Sequence, residues 1–324
     1  MIVRVFSLLI AACVMSVSAS AQSGDNYPNR TITMVLPYPA GGSSFVIAQL
    51  IGEQLRAKFG QPVVVDTRGG AGGSIGTTAV ARADPDGYTL LITPLAPIIY
   101  NPFTRKNLGY DATALERVAD IAVTPYVLAV RSDFPATNVR EFIAYAKAQP
   151  GKLNYGSNGG VGSGGHLATL LFEQASGIKQ VHVPYAGSAP AVTAMTGGQI
   201  DFLIDNIGPL LALHRDGRVK IIAVADNKRA PELPDVPTFS EFGMTDFAIY
   251  SAFGIFAPPK TPKPILDKLN AAVNEAITVE SVRAKFTDLN LRIRGGSREA
   301  FADFVAGEYQ RWGRIIREAN VVVD

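Results

Sequence analysis

From Thr31 to Ala225 short β-rich runs alternate with helical patterns, and this alternation constrains the fold more than any other feature of the sequence. The strand-like runs are Thr31–Leu36, Pro62–Asp66, Tyr88–Thr93, Val118–Val130, Leu153–Gly156, Val181–Pro184, Gln199–Asp205 and Val219–Ala225. Helical patterns separate most of them, at Val46–Phe59, Ser74–Ala83, Val139–Ala148, His166–Ser176, Ala189–Thr196 and Pro209–Asp216. A crossover helix returns the chain to the same edge of a sheet, so the pattern specifies an α/β fold with a largely parallel sheet. Beyond Ala225 come a Pro-rich stretch (Pro231, Pro234, Pro237), a strand-like Ser251–Ala257 and helices near Pro264–Thr278, Val282–Leu289 and Arg298–Ala319.

No internal repeat and no low-complexity linker divides the chain. Two lobes must then be joined by strands that pass between them, and Val118–Val130 and Val219–Ala225 are the candidates. The expected organisation is one discontinuous lobe, residues 22–124 plus 226–324, with a second lobe, 125–225, between. A cleft is expected where the strand ends meet.

Residues 1–21 carry Arg4, the apolar run Val5–Val17 and then Ser18-Ala19-Ser20-Ala21. That is the order of a secretory signal peptide cut after Ala21, and about 13 apolar residues fall short of the ~20 that span a bilayer. A periplasmic location follows. Ile10-Ala11-Ala12-Cys13 offers a lipoprotein box as the alternative; with cleavage after Ala21 the mature chain has no cysteine. Thirty basic residues against 28 acidic give a net charge of +2, and neither sign gathers into a run suited to phosphates or an anionic membrane. Nucleic acid is not an expected partner.

Enzymatic readings are weak. His166, His182 and His214 have no Cys, Asp or Glu at metal-ligand spacing, so no metal site is expected. Gly72-Gly73-Ser74-Ile75-Gly76 has the G-x-S-x-G form, but seven residues separate Ser74 from the preceding strand, where a hydrolase nucleophile sits on a direct strand-to-helix turn. Gly160-Val161-Gly162-Ser163-Gly164-Gly165 fits the dinucleotide fingerprint without the acidic residue about 20 positions on. No cofactor is expected.

What the Gly-rich loops share is position. Ala40-Gly41-Gly42-Ser43-Ser44, Gly156 to Gly165, and Gly187-Ser188-Ala189 each follow a strand and open a helix. A helix N-terminus leaves up to four N–H groups unpaired and carries about half a positive charge, so such loops can receive an anion without a basic side chain.

In the order of its motifs the sequence resembles the Bug-type periplasmic receptors of tripartite tricarboxylate transporters. The resemblance rests on Leu36-Pro37-Tyr38-Pro39-Ala40-Gly41-Gly42, Arg68-Gly69-Gly70-Ala71-Gly72-Gly73, Ala83-Asp84-Pro85-Asp86-Gly87-Tyr88, Leu153-Asn154-Tyr155-Gly156-Ser157, His182-Val183-Pro184-Tyr185-Ala186-Gly187-Ser188, Gly197-Gly198-Gln199-Ile200-Asp201 and Leu233-Pro234-Asp235-Val236-Pro237-Thr238. It implies a two-lobed Venus-flytrap receptor, type II-like, that binds a small carboxylate without catalysis and hands it to a membrane permease, acting as a monomer. Carried over by position, ligand contacts fall on Tyr38, Ala40, Gly41, Gly42, Ser157, Gly162, Ser163, Gly187, Ser188 and Ala189, with Thr93, Asp205 and Asn206 expected to face the cleft. Ser43, Ser44, Phe45 and His166, which open the helices, complete the candidate set. Where the family has Gly-Gly-x-x-Asp this chain ends in Phe45, and where it has Ser-Trp-Phe-Gly this chain has Ser251-Ala252-Phe253-Gly254. A ring in place of a carboxylate favours an aromatic carboxylate; if Phe45 turns into the core, an ordinary di- or tricarboxylate is expected instead. A secreted hydrolase using Ser74 or Ser163, and a ligand sensor with a signalling partner, are the alternatives.

Overall fold

The computed structural model describes residues 26–40, 43–245, 247–318 and 320–322, and the expected signal segment lies outside them. In chain order the strands are β1 Ile32–Leu36, β2 Val63–Thr67, β3 Thr89–Pro94, β4 Glu116–Arg131, β5 Asn154–Asn158, β6 Val181–Tyr185, β7 Phe202–Asn206, β8 Val219–Ala225, β9 Tyr250–Ala257 and β10 Arg292–Ile293. The helices are α1 Ser43–Phe59, α2 Ser74–Ala81, α3 Ala96–Ile99, α4 Asn101–Thr104, α5 Val139–Ala148, α6 Gly164–Ser176, α7 Ser188–Thr196, α8 Gly208–Arg215, α9 Lys263–Ala276, α10 Glu280–Asp288 and α11 Arg298–Glu318.

The strands pair in the order β2-β1-β3-β9-β4-β7-β5-β6, with β8 and β10 also on β4. β2-β1-β3 are parallel, as are β6-β5-β7. The expectation of a largely parallel sheet needs correction, because the chain leaves the first lobe along β4 and returns along β9, which runs antiparallel to both β3 and β4. β7 and β8 are likewise antiparallel to β4.

β4 is the spine of the molecule. It is buried from Val118 to Val130, and a strand covered on both faces reads as a nearly continuous apolar run, broken here by Asp120 and Thr124. Along one edge its first part, Glu116–Pro125, pairs with β9, and its last part, Tyr126–Arg131, pairs with β8. β8 stops at that junction and does not itself cross. Ala230, Leu233 and Val236, beyond it, pack in one core with Val219 and Leu210. The return crossing is at Ile249–Tyr250, where Ile249 N–H donates to the Ala225 carbonyl at 2.9 Å and the Ile249 carbonyl accepts from Tyr126 N–H at 3.0 Å.

Local sequence sets the helices. In α1 the buried residues Ile47, Ala48, Ile51 and Leu55 recur at helical spacing against the β1 side chains Ile32 and Met34. α5 starts at Asn138, whose side chain accepts from Glu141 N–H at 3.0 Å, while Glu141 Oε2 takes the Thr137 N–H at 2.8 Å. α11 holds the short α3–α4 segment in place. Its buried Trp312 meets the Tyr100 ring edge-on at 5.0 Å and donates from Nε1 to Glu308 at 2.9 Å.

Candidate functional site

A cavity of about 690 Å³ opens where the C-terminal ends of β1, β3, β5, β6 and β7 converge on the middle of β4. That volume lies in the ~300–1,000 Å³ range of small-molecule sites, and the ends of parallel strands are where α/β sheets place ligands.

One wall is built by the turn after β1. Tyr38, Pro39 and Ala40 line it, followed by Ser43 and Ser44 at the start of α1. Burial, with the Tyr110 and Tyr126 phenols close by, pushes the Tyr38 hydroxyl well above its usual range, so it stays neutral. Gly41 and Gly42 lie outside the described residues. α3 and α4 extend this wall with Tyr100, Asn101, Thr104 and Arg105, and β4 contributes Thr124 and Tyr126.

The opposite wall is made by the starts of α6 and α7. Ser163 caps α6, its Oγ accepting from His166 N–H at 3.5 Å. Two further donors of that loop are also consumed locally: Gly162 N–H goes to His166 Nδ1 at 3.2 Å and Gly165 N–H to Asn158 Oδ1 at 3.0 Å. The Gly164 N–H is left without an intramolecular partner among the described residues. α7 begins differently. Gly187 is extended and gives no side-chain cap, Pro190 has no N–H, and the N–H groups of Ser188 and Ala189 are open. The anion-binding capacity of this wall is therefore Gly164, Ser188 and Ala189, fewer donors than two complete helix ends would offer.

Behind the wall sits Asp205, 1% exposed. Its Oδ1 accepts from Asn158 Nδ2 and from Asn206 N–H at 2.7 Å, and Asn158 in turn holds Gly165. Burial raises the carboxyl to about 6, against the pull of Ser188, the Asn206 N–H and the Asn158 amide. Asp205 thus fixes the start of α6 through Asn158 rather than facing a ligand.

The cavity brings together Tyr38, Ala40, Ser43, Ser44, Gly162, Ser163, Gly187, Ser188, Ala189 and Asn206 from the sequence candidates. Five others do not line it. Phe45 packs on the first-lobe core and lines a separate depression with Gln49 and Leu50. Thr93 is fully buried, its Oγ1 donating to the Pro94 carbonyl at 2.8 Å. Ser157 donates to the Gly160 carbonyl at 3.2 Å and meets His182 Nε2 at 2.8 Å. His166 is 7% exposed and stacks on the His182 ring at 4.2 Å, and Asp205 is the buried support just described. Phe45, Thr93, Ser157 and His166 are each engaged by a neighbouring backbone or core contact, whereas Asp205 is held through Oδ1 and keeps Oδ2 buried without a hydrogen-bond partner.

Arg105, Asn101, Thr124 and Tyr126 went unnoticed in the sequence. Arg105 Nε, Thr124 Oγ1 and Asn206 Oδ1 are buried without hydrogen-bond partners. Ser74 Oγ accepts from Asn101 at 3.1 Å, and Ser163 Oγ caps its own helix; neither meets a histidine ring. Among the described residues no group of three or more His, Cys, Asp or Glu side chains is placed to hold a metal ion, and no helix is long and apolar enough to cross a membrane.

Solved structures with this architecture share a third of the sequence. The periplasmic binding protein BugD is 34% identical and superposes with a TM-score of 0.79, covering 91% of this chain and 99% of its own. Rpa4515 of R. palustris, solved with adipate, is 33% identical with a TM-score of 0.82 over 92% of this chain and 100% of its own. MatC of Rhodopseudomonas palustris, solved with bound malate, is 33% identical with a TM-score of 0.79 over 90% and 100%. Residues 47–321 match the profile of the tripartite tricarboxylate transporter family receptor. With the two-lobed α/β fold, the cavity between the lobes and a family match across most of its length, the chain belongs to the tripartite tricarboxylate transporter receptor family, as a Bug-type solute-binding receptor.

Proposed function

We propose that this chain captures a small carboxylate in the cavity between its lobes and presents it to the membrane permease of a tripartite transporter, with no catalytic step. The observation that carries the reading is the set of open N–H donors at Gly164, Ser188 and Ala189, facing a cavity with no acidic side chain among the described lining residues. Backbone donors at helix starts hold an oxyanion well. The adipate and malate of the two R. palustris relatives support the ligand class. The periplasmic assignment of BugD supports export, and cleavage after Ala21 rests on the order of charged, apolar and small residues in the sequence alone.

In this reading the lobes are residues 22–124 with the C-terminal segment, and the segment that starts at 125. The packing of Ala230, Leu233 and Val236 with β8 supports a second boundary at the Ile249–Tyr250 crossing in place of 225. The ligand joins the lobes, and closure is a shift of an existing open–closed balance. The protein works as a monomer without a cofactor. An aromatic preference loses the residue it rested on, since Phe45 packs away from the cavity; Tyr38, Tyr100, Tyr126, Tyr250 and Phe253 supply rings of their own.

Calorimetric titration with adipate, malate, benzoate and aspartate, each beside its methyl ester, tests the reading. At least one free acid is expected to bind and its ester to bind at least tenfold more weakly. If none of the free acids binds, the receptor reading fails.

A further inference from the structure

Asp205 stands one residue before Asn206, which ends β7 and lines the cavity. Its carboxyl is buried, and the two oxygens are unequal: Oδ1 accepts from Asn158 Nδ2 and from the Asn206 N–H at 2.7 Å, whereas Oδ2 is buried with no hydrogen-bond partner. No cation faces it among the described residues. β4 brings the Tyr126 phenol, β5 brings Asn158, α7 brings Ser188, and α6 meets it only through the Gly165 N–H that Asn158 holds. Tyr126 is neutral, because burial and then Asp205 itself push its hydroxyl well above the usual range. Burial lowers the His166 and His182 imidazoles, and Asp205 is not among the groups that act on either ring. A carboxylate buried without a cation favours its neutral form, and here burial raises the carboxyl to about 6.

We propose that Asp205 is a positioning residue that couples ligand capture to the uptake of one proton: an anion on the open N–H groups of Gly164, Ser188 and Ala189 brings a second negative charge to the other side of the same wall, and the buried carboxylate is neutralised in response. The proton comes from solvent and adds to Oδ2, since Oδ1 already takes two donors. The Ser188 hydroxyl, near enough to pull on the carboxyl, can turn from donor to acceptor for the new O–H. Oδ1 keeps Asn158, and Asn158 keeps Gly165, so the start of α6 is held in both protonation states. A like charge close by raises a carboxyl's pKa by about one unit or more. The coupling is reciprocal: a ligand that tightens the hold on a proton is itself held more tightly once the proton is there. Affinity therefore rises as pH falls from 8 towards 6. This inference rests on the carboxylate-receptor reading and adds a proton to it.

The test is titration calorimetry of the wild type and Asp205→Asn with adipate, malate, benzoate and aspartate, at pH 6.5 in buffers of different ionisation enthalpy and again at pH 6 and pH 8. Carboxylic acids are largely ionised over that range, so a buffer-dependent heat reports a proton taken up by the protein. With its best ligand the wild type is expected to take up about half a proton at pH 6.5 and to bind about fivefold more tightly at pH 6 than at pH 8. Asp205→Asn keeps an oxygen for Asn158 and stands for the neutral acid. It is expected to take up no proton, to bind equally at both pH values, and at pH 8 to bind several-fold more tightly than the wild type. Weaker binding with the wild-type pH profile would assign Asp205 a structural role only and overturn the proposal, as would a wild-type heat independent of buffer or an uptake that survives in the variant. Carbon-13 NMR of the Asp205 carboxyl in the wild type decides the matter without a substitution. Its midpoint, near 6 in the free protein, is expected to rise by about one unit with ligand bound; an unmoved midpoint overturns the proposal. Failure of the wild type to bind any of the four acids is the distinct outcome that removes the receptor reading and this inference together.

Discussion

Gly164 is where one added methyl group meets the site most directly. A Cβ there would stand 2.2 Å from the Tyr126 hydroxyl and 3.1 Å from its Cζ, and the N–H of the same residue is an open donor in the cavity. Overpacking of this kind costs about 1–3 kcal/mol. Gly164→Ala is therefore expected to weaken carboxylate binding about tenfold or more in titration, while circular dichroism reports a folded protein; wild-type affinity would mean that Tyr126 gives way freely. Gly307 makes the contrasting case. It lies inside α11, and a Cβ there meets nothing within 4 Å. Gly307→Ala should raise stability by about 0.5–1 kcal/mol, measured by denaturant unfolding, with binding unchanged. The two glycines look alike in a sequence. The helix-opening loops at Tyr38–Ala40, Gly162–Ser163 and Gly187–Ala189 were legible because glycine and serine after a strand mark a helix start. Arg105, Thr124 and Tyr126 were not, because nothing in the local pattern tells which side chains beside a short helix or on a mostly apolar buried strand will meet a loop more than thirty residues away.

The loop that opens α6 depends on a pair of neutral histidines. His166 and His182 stack with Tyr155 behind them, His166 Nδ1 accepts the Gly162 N–H, and His182 Nε2 meets Ser157. Burial, and for His166 the neighbouring His182, depresses both imidazoles, His166 to about 4. In the unfolded chain a histidine takes up its proton near pH 6.5. As pH falls below that value the unfolded state binds protons that the folded state refuses, so stability declines between about pH 6.5 and pH 4 and levels off below. The expected observation is a drop in Tm from pH 7 to pH 4.5 that is smaller in His166→Gln, whose side chain does not titrate; equal drops would remove the pair from the acid response. Element by element, the long strands and helices lie within a few residues of their sequence expectations, since burial imposes a period on them. α3 and α4, four residues each, are too short to show a period, and β10 is two residues whose partners on β4, Val123 and Ala122, lie 169 and 171 positions earlier in the chain. The Pro-rich 226–249 segment shows no period either, and nothing in its sequence announces that Ala230, Leu233 and Val236 pack against β8.

At the scale of the molecule, β4 makes the two lobes one thermodynamic body. One core cluster joins Val35 and Leu91 of the first lobe, through Tyr126 and Leu128 of β4, to Phe142, Phe172 and Phe202 of the second. Where β8, β9 and β10 meet on β4, Asp226 accepts from the Tyr250 hydroxyl at 2.6 Å and pairs with Arg292, tying three strands at the crossing. Neither lobe keeps its core if the other unfolds, because each would expose its own half of β4. Scanning calorimetry is therefore expected to show one transition with equal calorimetric and van't Hoff enthalpies; two resolved transitions would mean that the lobes are independent. A ligand that grips both walls stabilises that single body by mass action, about 2.7 kcal/mol at a hundred times Kd. The transition should shift upward without splitting, whereas a ligand held by one lobe of an uncoupled pair would move one transition and leave the other in place.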